Sequence, residues 1–173
     1  MAIIKPNNNT ISAITALPAA ITTGKVLQVV TSENGYGQNT TSTSLVDIES
    51  SSGTAWETAI TPSATSSKII VMANILMTWE QSGNAQNRGQ VYLLSKTGSG
   101  SYSLNQGGEL GNYDYGTSGV QLRQRVAITF ELSPSTTSAV TVKFQYKGLG
   151  GTSCAVNDGS LKTSTVILWE KSA

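Results

Sequence analysis

The sequence predicts an all-β protein, an antiparallel β-sandwich of the jelly-roll type preceded by an extended N-terminal arm. Three observations carry that expectation. From Gly24 onward the apolar residues recur with a period of two, in runs rich in Val, Ile, Thr and aromatic residues. Polar connectors of Ser, Thr, Asn and Gly separate these runs at near-regular spacing, which gives about eight to ten strands. Ser and Thr supply 45 of the 173 residues and charged residues only 12%, so the chain is short of the charge that clothes surface helices. The length suits one domain, and the long polar connectors fit a jelly roll better than a small immunoglobulin-like sandwich.

Residues 1–23 form the arm and residues 24–173 the sandwich. In the arm, Met1–Lys5 is mostly apolar and Pro6-Asn7-Asn8-Asn9 is a turn-forming cluster. Ile11, Ile14, Leu17 and Ile21 then recur at helix-like spacing, but Pro18 would end a helix there, so an extended arm is expected. With Lys5 as its single charge, the arm is expected to dock its Ile and Leu side chains on another surface.

The first strand is expected over Gly24–Thr31, followed by a loop over 34–43 with Asn34-Gly35 as its turn signal. Ser44–Glu49 and Ala55–Ile60 are short strands split by Ser51-Ser52-Gly53. Lys68–Trp79 is the strongest run, with Ile69, Val71, Ala73, Ile75, Met77 and Trp79 on one face and Ile70, Met72, Asn74, Leu76 and Thr78 on the other. A run of that length also suits a buried helix; the Ile and Val content and the flanking connectors favour a strand. Gln90–Lys96 is the next strand, with a hairpin turn at Thr97–Gly100 leading into Ser101–Leu104. Gly107–Gly119 is expected as a Gly-, Tyr- and Asn-rich loop. Val120–Leu132 alternates cleanly, as do Val140, Val142, Phe144 and Tyr146; Cys154–Val156 and Thr163–Glu170 close the fold.

Composition removes several classes of function. The net charge is +1 and no basic run exists, which argues against nucleic acid as a partner. No stretch of about 18 apolar residues is present to cross a membrane, and the N-terminal residues show no signal-peptide pattern, so synthesis in the cytoplasm is expected. The absence of His removes His-based acid–base chemistry and the commonest zinc ligand, and one Cys makes no disulfide or Cys cluster. No catalytic residue, metal or cofactor is assigned, and the chain is not expected to be an enzyme.

Two strands break the apolar-in, polar-out rule of a half-exposed sheet, Ile69–Trp79 and Thr165–Trp169. Ile70, Met72, Leu76, Ile167 and Trp169 are therefore expected to form an interface between copies of the chain. The competing possibility is that the arm folds back over this sheet within one chain. Other groups have simpler explanations. Glu109 and Asp114 lack calcium-loop spacing, and Asn157-Asp158-Gly159 is turn chemistry. Asp47 and Glu49 alternate onto one strand face as a pair of carboxylates, for which a solvated face is the better reading. Tyr92, Tyr102, Trp56 and Trp79 are aromatic candidates for a sugar surface, with core packing as the alternative; Tyr113 and Tyr115, in the expected loop, are the possible ligand contacts. Cys154 reads as a small buried residue, and Arg123 and Arg125 as partners for Glu131 or for acidic groups of a neighbour.

Four segments carry a resemblance: Gly24–Val30, Ile60–Val71 (Ile-Thr-Pro-Ser-Ala-Thr-Ser-Ser-Lys-Ile-Ile-Val), Glu131–Ser138 and Thr165–Glu170. Together they resemble a module of tailed-bacteriophage virion proteins that is similar to the tumour-necrosis-factor-like jelly roll and tends to form trimers. The resemblance covers roughly residues 24–173 and includes no catalytic motif. It implies a homotrimer located in the virion, in one of two settings. One is a capsid decoration (cement) protein on the head exterior, with the major capsid protein as partner and Ile3, Ile4, Ile11, Ile14, Leu17 and Ile21 as anchoring residues. The other is a tail-fibre tip that recognises host surface glycans. The short stretch before the module favours decoration.

Overall fold

A computed structural model describes residues 25–80, 87–112, 121–149, 153–158 and 163–172. The arm therefore lies outside the described residues, as do Tyr113 and Tyr115. The described residues form strands β1 (Val26–Asn34), β2 (Gln38–Thr40), β3 (Val46–Asp47), β4 (Glu49–Ser51), β5 (Thr54–Ala55), β6 (Glu57–Ile60), β7 (Lys68–Glu80), β8 (Asn87–Thr97), β9 (Ser103–Asn112), β10 (Gln121–Leu132), β11 (Val140–Leu149), β12 (Cys154–Val156) and β13 (Ser164–Lys171).

The strands sort into two antiparallel sheets and a small β4–β5 hairpin. In the first sheet β7 is central. β10 pairs with one side of it along its length, while β13 and β12 share the other side, Lys171–Thr165 against Lys68–Asn74 and Val156–Cys154 against Met77–Trp79. β1 lies outside β13 and β2 outside β12. In the second sheet β3 and β6 share one side of β11, β8 takes the other, and β9 pairs with β8. Merging the interrupted strands and numbering in chain order gives sheets 1-8-3-6 and 2-7-4-5. That order is the jelly roll, and its all-antiparallel pairing follows from connectors too short for crossover helices.

The expected alternation holds in the long strands. Ile69, Val71, Ile75 and Met77 of β7 and Val166 and Leu168 of β13 are buried against Val91 and Leu93 of β8 and Val142, Phe144 and Tyr146 of β11. Trp56 stacks at a tilt on Phe144, with ring centroids 5.6 Å apart. Each such side chain contributes about 1.5–3 kcal/mol by burial, so this inner layer holds the two sheets together. Gly89 sits where a Cβ would lie 3.0 Å from Cys154 Sγ and 3.2 Å from Met77 Cε, so β8 can approach the first sheet closely only without a side chain there.

Three expectations need correction. The loop expected over 34–43 contains β2, whose polar Gln38-Asn39-Thr40 carries no apolar signal but pairs with β12. The loop expected over 107–119 begins later, because Gly107–Asn112 continues β9. Gly107 is tolerated in that strand because the ring of Tyr92, its cross-strand partner, lies over it and fills the space of a side chain. The segment expected as one strand over 44–49 is instead β3 and β4, with the fully buried Ile48 between them.

Candidate assembly surface

The two outer faces of the sandwich differ in kind. On the second sheet, Lys143 Nζ meets Asp47 Oδ1 at 2.7 Å and Lys96 Nζ meets Glu57 Oε2 at 3.7 Å. Both ammonium groups sit 4.5 Å from the centre of the Tyr102 ring. Burial, then the neighbouring Glu57, raises the Tyr102 hydroxyl above its usual range, so it stays protonated. This face carries an interlaced set of opposite charges suited to water, with Leu104, 58% exposed, paired with Leu94 at its β8–β9 side.

The outer face of the first sheet is apolar at its centre. Strand register places Val29, Trp169, Ile70 and Glu131 in one row across β1, β13, β7 and β10. The next row is Thr31, Ile167, Met72 and Thr129, and the one after it Glu33, Thr165, Asn74 and Ala127. Val29 is 51% exposed and Met72 and Trp169 each 37%, while Ile70 and Ile167 are half-buried. Leu76 shares the face but is itself buried, beside Arg125. Thus Ile70, Met72, Ile167 and Trp169 form one contiguous cluster of adjacent cross-strand neighbours. The local cause is the sequence: β7 and β13 carry apolar residues at both parities, so any register that buries one set presents the other.

One end of this sheet is tied by a buried carboxylate. Glu170, 1% exposed, lies on the inner side of β13. Its Oε1 accepts from the Ser63 backbone N–H and the Ser63 hydroxyl, each at 2.6 Å, and its Oε2 accepts from Gln28 Nε2 at 2.9 Å. The Ser67 hydroxyl stands close enough to favour the charged form while lying outside hydrogen-bond geometry. Burial opposes ionisation, but these donors outweigh it and hold the carboxyl at about 2. Nearby, Lys171 pairs with Glu131 at 2.8 Å and Lys68 Nζ donates to Ser133 at 2.7 Å. The four segments that carry the resemblance therefore converge here: Gln28, Ser63 with Lys68, Glu131 with Ser133, and Glu170. No sequence signal marked Glu170, because its burial depends on a connector 107 residues away.

The other candidates disperse. Asp47 is bound to Lys143 and Gln145, whereas Glu49, in β4, accepts from the N–H of Gly53 in the β4–β5 turn, so the two carboxylates do not form a pair. Trp56 and Trp79 are each 3% exposed and belong to the core, and Trp56 Nε1 donates to Ser32. Arg123 faces Asp158 at 3.8 Å and Arg125 donates to the Thr163 carbonyl, so neither pairs with Glu131. Cys154 is buried, and burial pushes its thiol up to about 12. Among the described residues no three His, Cys, Asp or Glu side chains gather as a metal site. Asn157, fully buried with φ 55°, links the gap between β12 and β13 by accepting from the Ser164 hydroxyl and donating to the Tyr36 carbonyl.

No family model matches the sequence, and no curated protein is similar to it. Among solved structures the chain is similar to VP2 of infectious bursal disease virus in a subviral particle, at 15% identity over 84% of this chain, with a TM-score of 0.34. The T13 particle of the same virus gives 13% identity over 91% of this chain and a TM-score of 0.36, and its Gt strain 13% over 86% and 0.36. The chain spans 37–40% of the length of those viral proteins. Likeness at this level bears on neither activity nor partners, and the jelly-roll assignment rests on the strand order itself.

Proposed function

We propose that this protein is a structural component of a tailed-phage virion, a homotrimeric decoration protein on the head exterior that cements contacts between capsomers. The observation that carries the reading is the apolar cluster Ile70, Met72, Ile167 and Trp169 on an outer sheet face, opposite a face laced with ion pairs. Among the described residues that cluster stays partly exposed; association of copies buries it, at about 25 cal/mol per Å² of apolar surface. The phage setting and the trimer come from the resemblance of the four framework segments. The arm, residues 1–23, attaches the trimer to the major capsid protein. Binding that exists only on the assembled shell then stabilises the shell by mass action against the pressure of packaged genome.

Labelling the protein on imaged particles tests the location. Density on the head surface supports the decoration reading. Density at the tail tip, with adsorption of the purified protein to host cells, favours the alternative of a glycan-recognising fibre tip.

A further inference from the structure

We infer that residues 10–24 of one copy lie across the apolar outer face of a neighbouring copy's first sheet, so that the subunits are tied together by exchanged arms. This rests on the self-association proposed above and names the occupant of the face. It narrows the shell attachment proposed for the whole arm: Ile11, Ile14, Leu17 and Ile21 go to the subunit contact, and Ile3 and Ile4, beyond the Pro6–Asn9 cluster, remain for the shell.

The first argument is chemical fit. The face offers Val29, Trp169, Ile70, Ile167 and Met72. The fifteen residues Thr10–Gly24 contain no charged side chain. Their apolar groups can therefore be buried without stranding an ion, which a charged segment could not do cheaply. The second argument is reach. A fully extended segment of this length spans about 50 Å. The face spans three inter-strand spacings, about 14 Å. The segment is long enough to leave one subunit and still cross the face of the next.

The third argument is the direction of departure. The Lys25 N–H donates to Ser172 Oγ at 3.2 Å, and the Ser172 N–H donates to the Lys25 carbonyl at 3.0 Å. These two bonds hold the chain in line with β1 at the first described residue. Exposed Val26 and Leu27 carry the apolar stretch of β1 up to this point, and the cross-strand rows from Val29 onward run the opposite way. The described chain thus begins at the rim of its own face, with its N-terminal end directed away from the rows. The same face on a neighbouring copy is the surface of matching chemistry open to it.

The test uses full-length chains. Sedimentation velocity at micromolar concentration is expected to show an oligomer for the unsubstituted protein and a single-chain mass for both Leu17→Asp and Met72→Asp, with near-ultraviolet circular dichroism of the folded domain retained. An oligomeric parent whose mass is unchanged by Leu17→Asp overturns the arm exchange and leaves self-association standing. A monomeric parent overturns both. Disulfide trapping then separates exchange from folding back. Ile14→Cys, Leu17→Cys and Ile21→Cys chains are each refolded together with Met72→Cys chains, the buried Cys154 being a poor competitor. A covalent dimer containing one chain of each kind, identified by intact mass, is expected for at least one arm position. Absence of mixed dimers in all three mixtures, or exclusively intrachain disulfides when both cysteines are on one chain, overturns the exchange.

Discussion

Ser63 donates both its backbone N–H and its hydroxyl to one oxygen of Glu170, at 2.6 Å each. The connector between β6 and β7 is thereby closed onto the last strand, and a carboxylate shielded from solvent is held charged by hydrogen-bond donors. Because the folded carboxyl titrates at about 2, below its ordinary value of 4.5, it stabilises the fold above about pH 4.5. That contribution is lost as pH falls from about 4.5 toward 2. Glu170→Gln replaces an acceptor with an amide facing the Gln28 and Ser63 donors. It is expected to cost roughly 2–3 kcal/mol at pH 7 and to flatten the acid limb. Urea unfolding of both proteins at pH 7, 4 and 3 checks this; equal slopes against pH would remove Glu170 as the cause.

Trp169 reports directly on the apolar face. Trp56 and Trp79 are each 3% exposed, so red-edge tryptophan emission comes from Trp169 at 37%. Emission is expected to shift to the blue and to lose acrylamide quenching as concentration rises through the association range. Trp169→Phe is expected to abolish the concentration dependence of the signal. A parent emission that stays red-edged and fully quenched by acrylamide at micromolar concentration would indicate that Trp169 remains in water.

The Tyr92 ring occupies the place of a side chain at Gly107. Gly107→Ala is expected to destabilise the fold by about 1 kcal/mol, since the ring must swing away and lose its contact. In a Tyr92→Ala background the same change is expected to be neutral or stabilising, because alanine costs a strand less backbone entropy than glycine. A double-mutant cycle by thermal unfolding measures the coupling, and additive effects would show that the ring does not cover this position.

Asn157 combines a left-handed backbone with two side-chain hydrogen bonds, one of them buried. Asn157→Gly keeps the conformation and loses the bonds, while Asn157→Ala loses both. Expected losses are about 1–2 kcal/mol for glycine and about 2–3 kcal/mol for alanine. Chemical denaturation gives the order, and a glycine variant less stable than the alanine variant would contradict it.

What could be read in the sequence was whatever alternation alone decides. The two faces of β7, the inward set of β10 and the paired parities of β13 follow from spacing, and they already imply a second apolar face. The turn at Asn157 was legible because few residues other than Asn, Asp and Gly adopt positive φ readily. Elements fixed by a distant partner were hidden. Polar Gln38–Thr40 becomes a strand only beside β12, and Gly107–Asn112 continues β9 only because Tyr92 shields its glycine. Asp47 and Glu49 looked alike in sequence but are separated by the buried Ile48 and taken up by different partners. Glu170 gave no signal, because a carboxylate near a chain end is ordinarily solvated.

The central claim is that the apolar face of the first sheet is covered by other copies of the chain. Sedimentation equilibrium of the full-length protein at micromolar concentration measures this most directly. The account predicts three times the 18.1 kDa chain mass, falling to one chain mass in Met72→Asp. A compact, stable particle of a single chain mass across that range would contradict it.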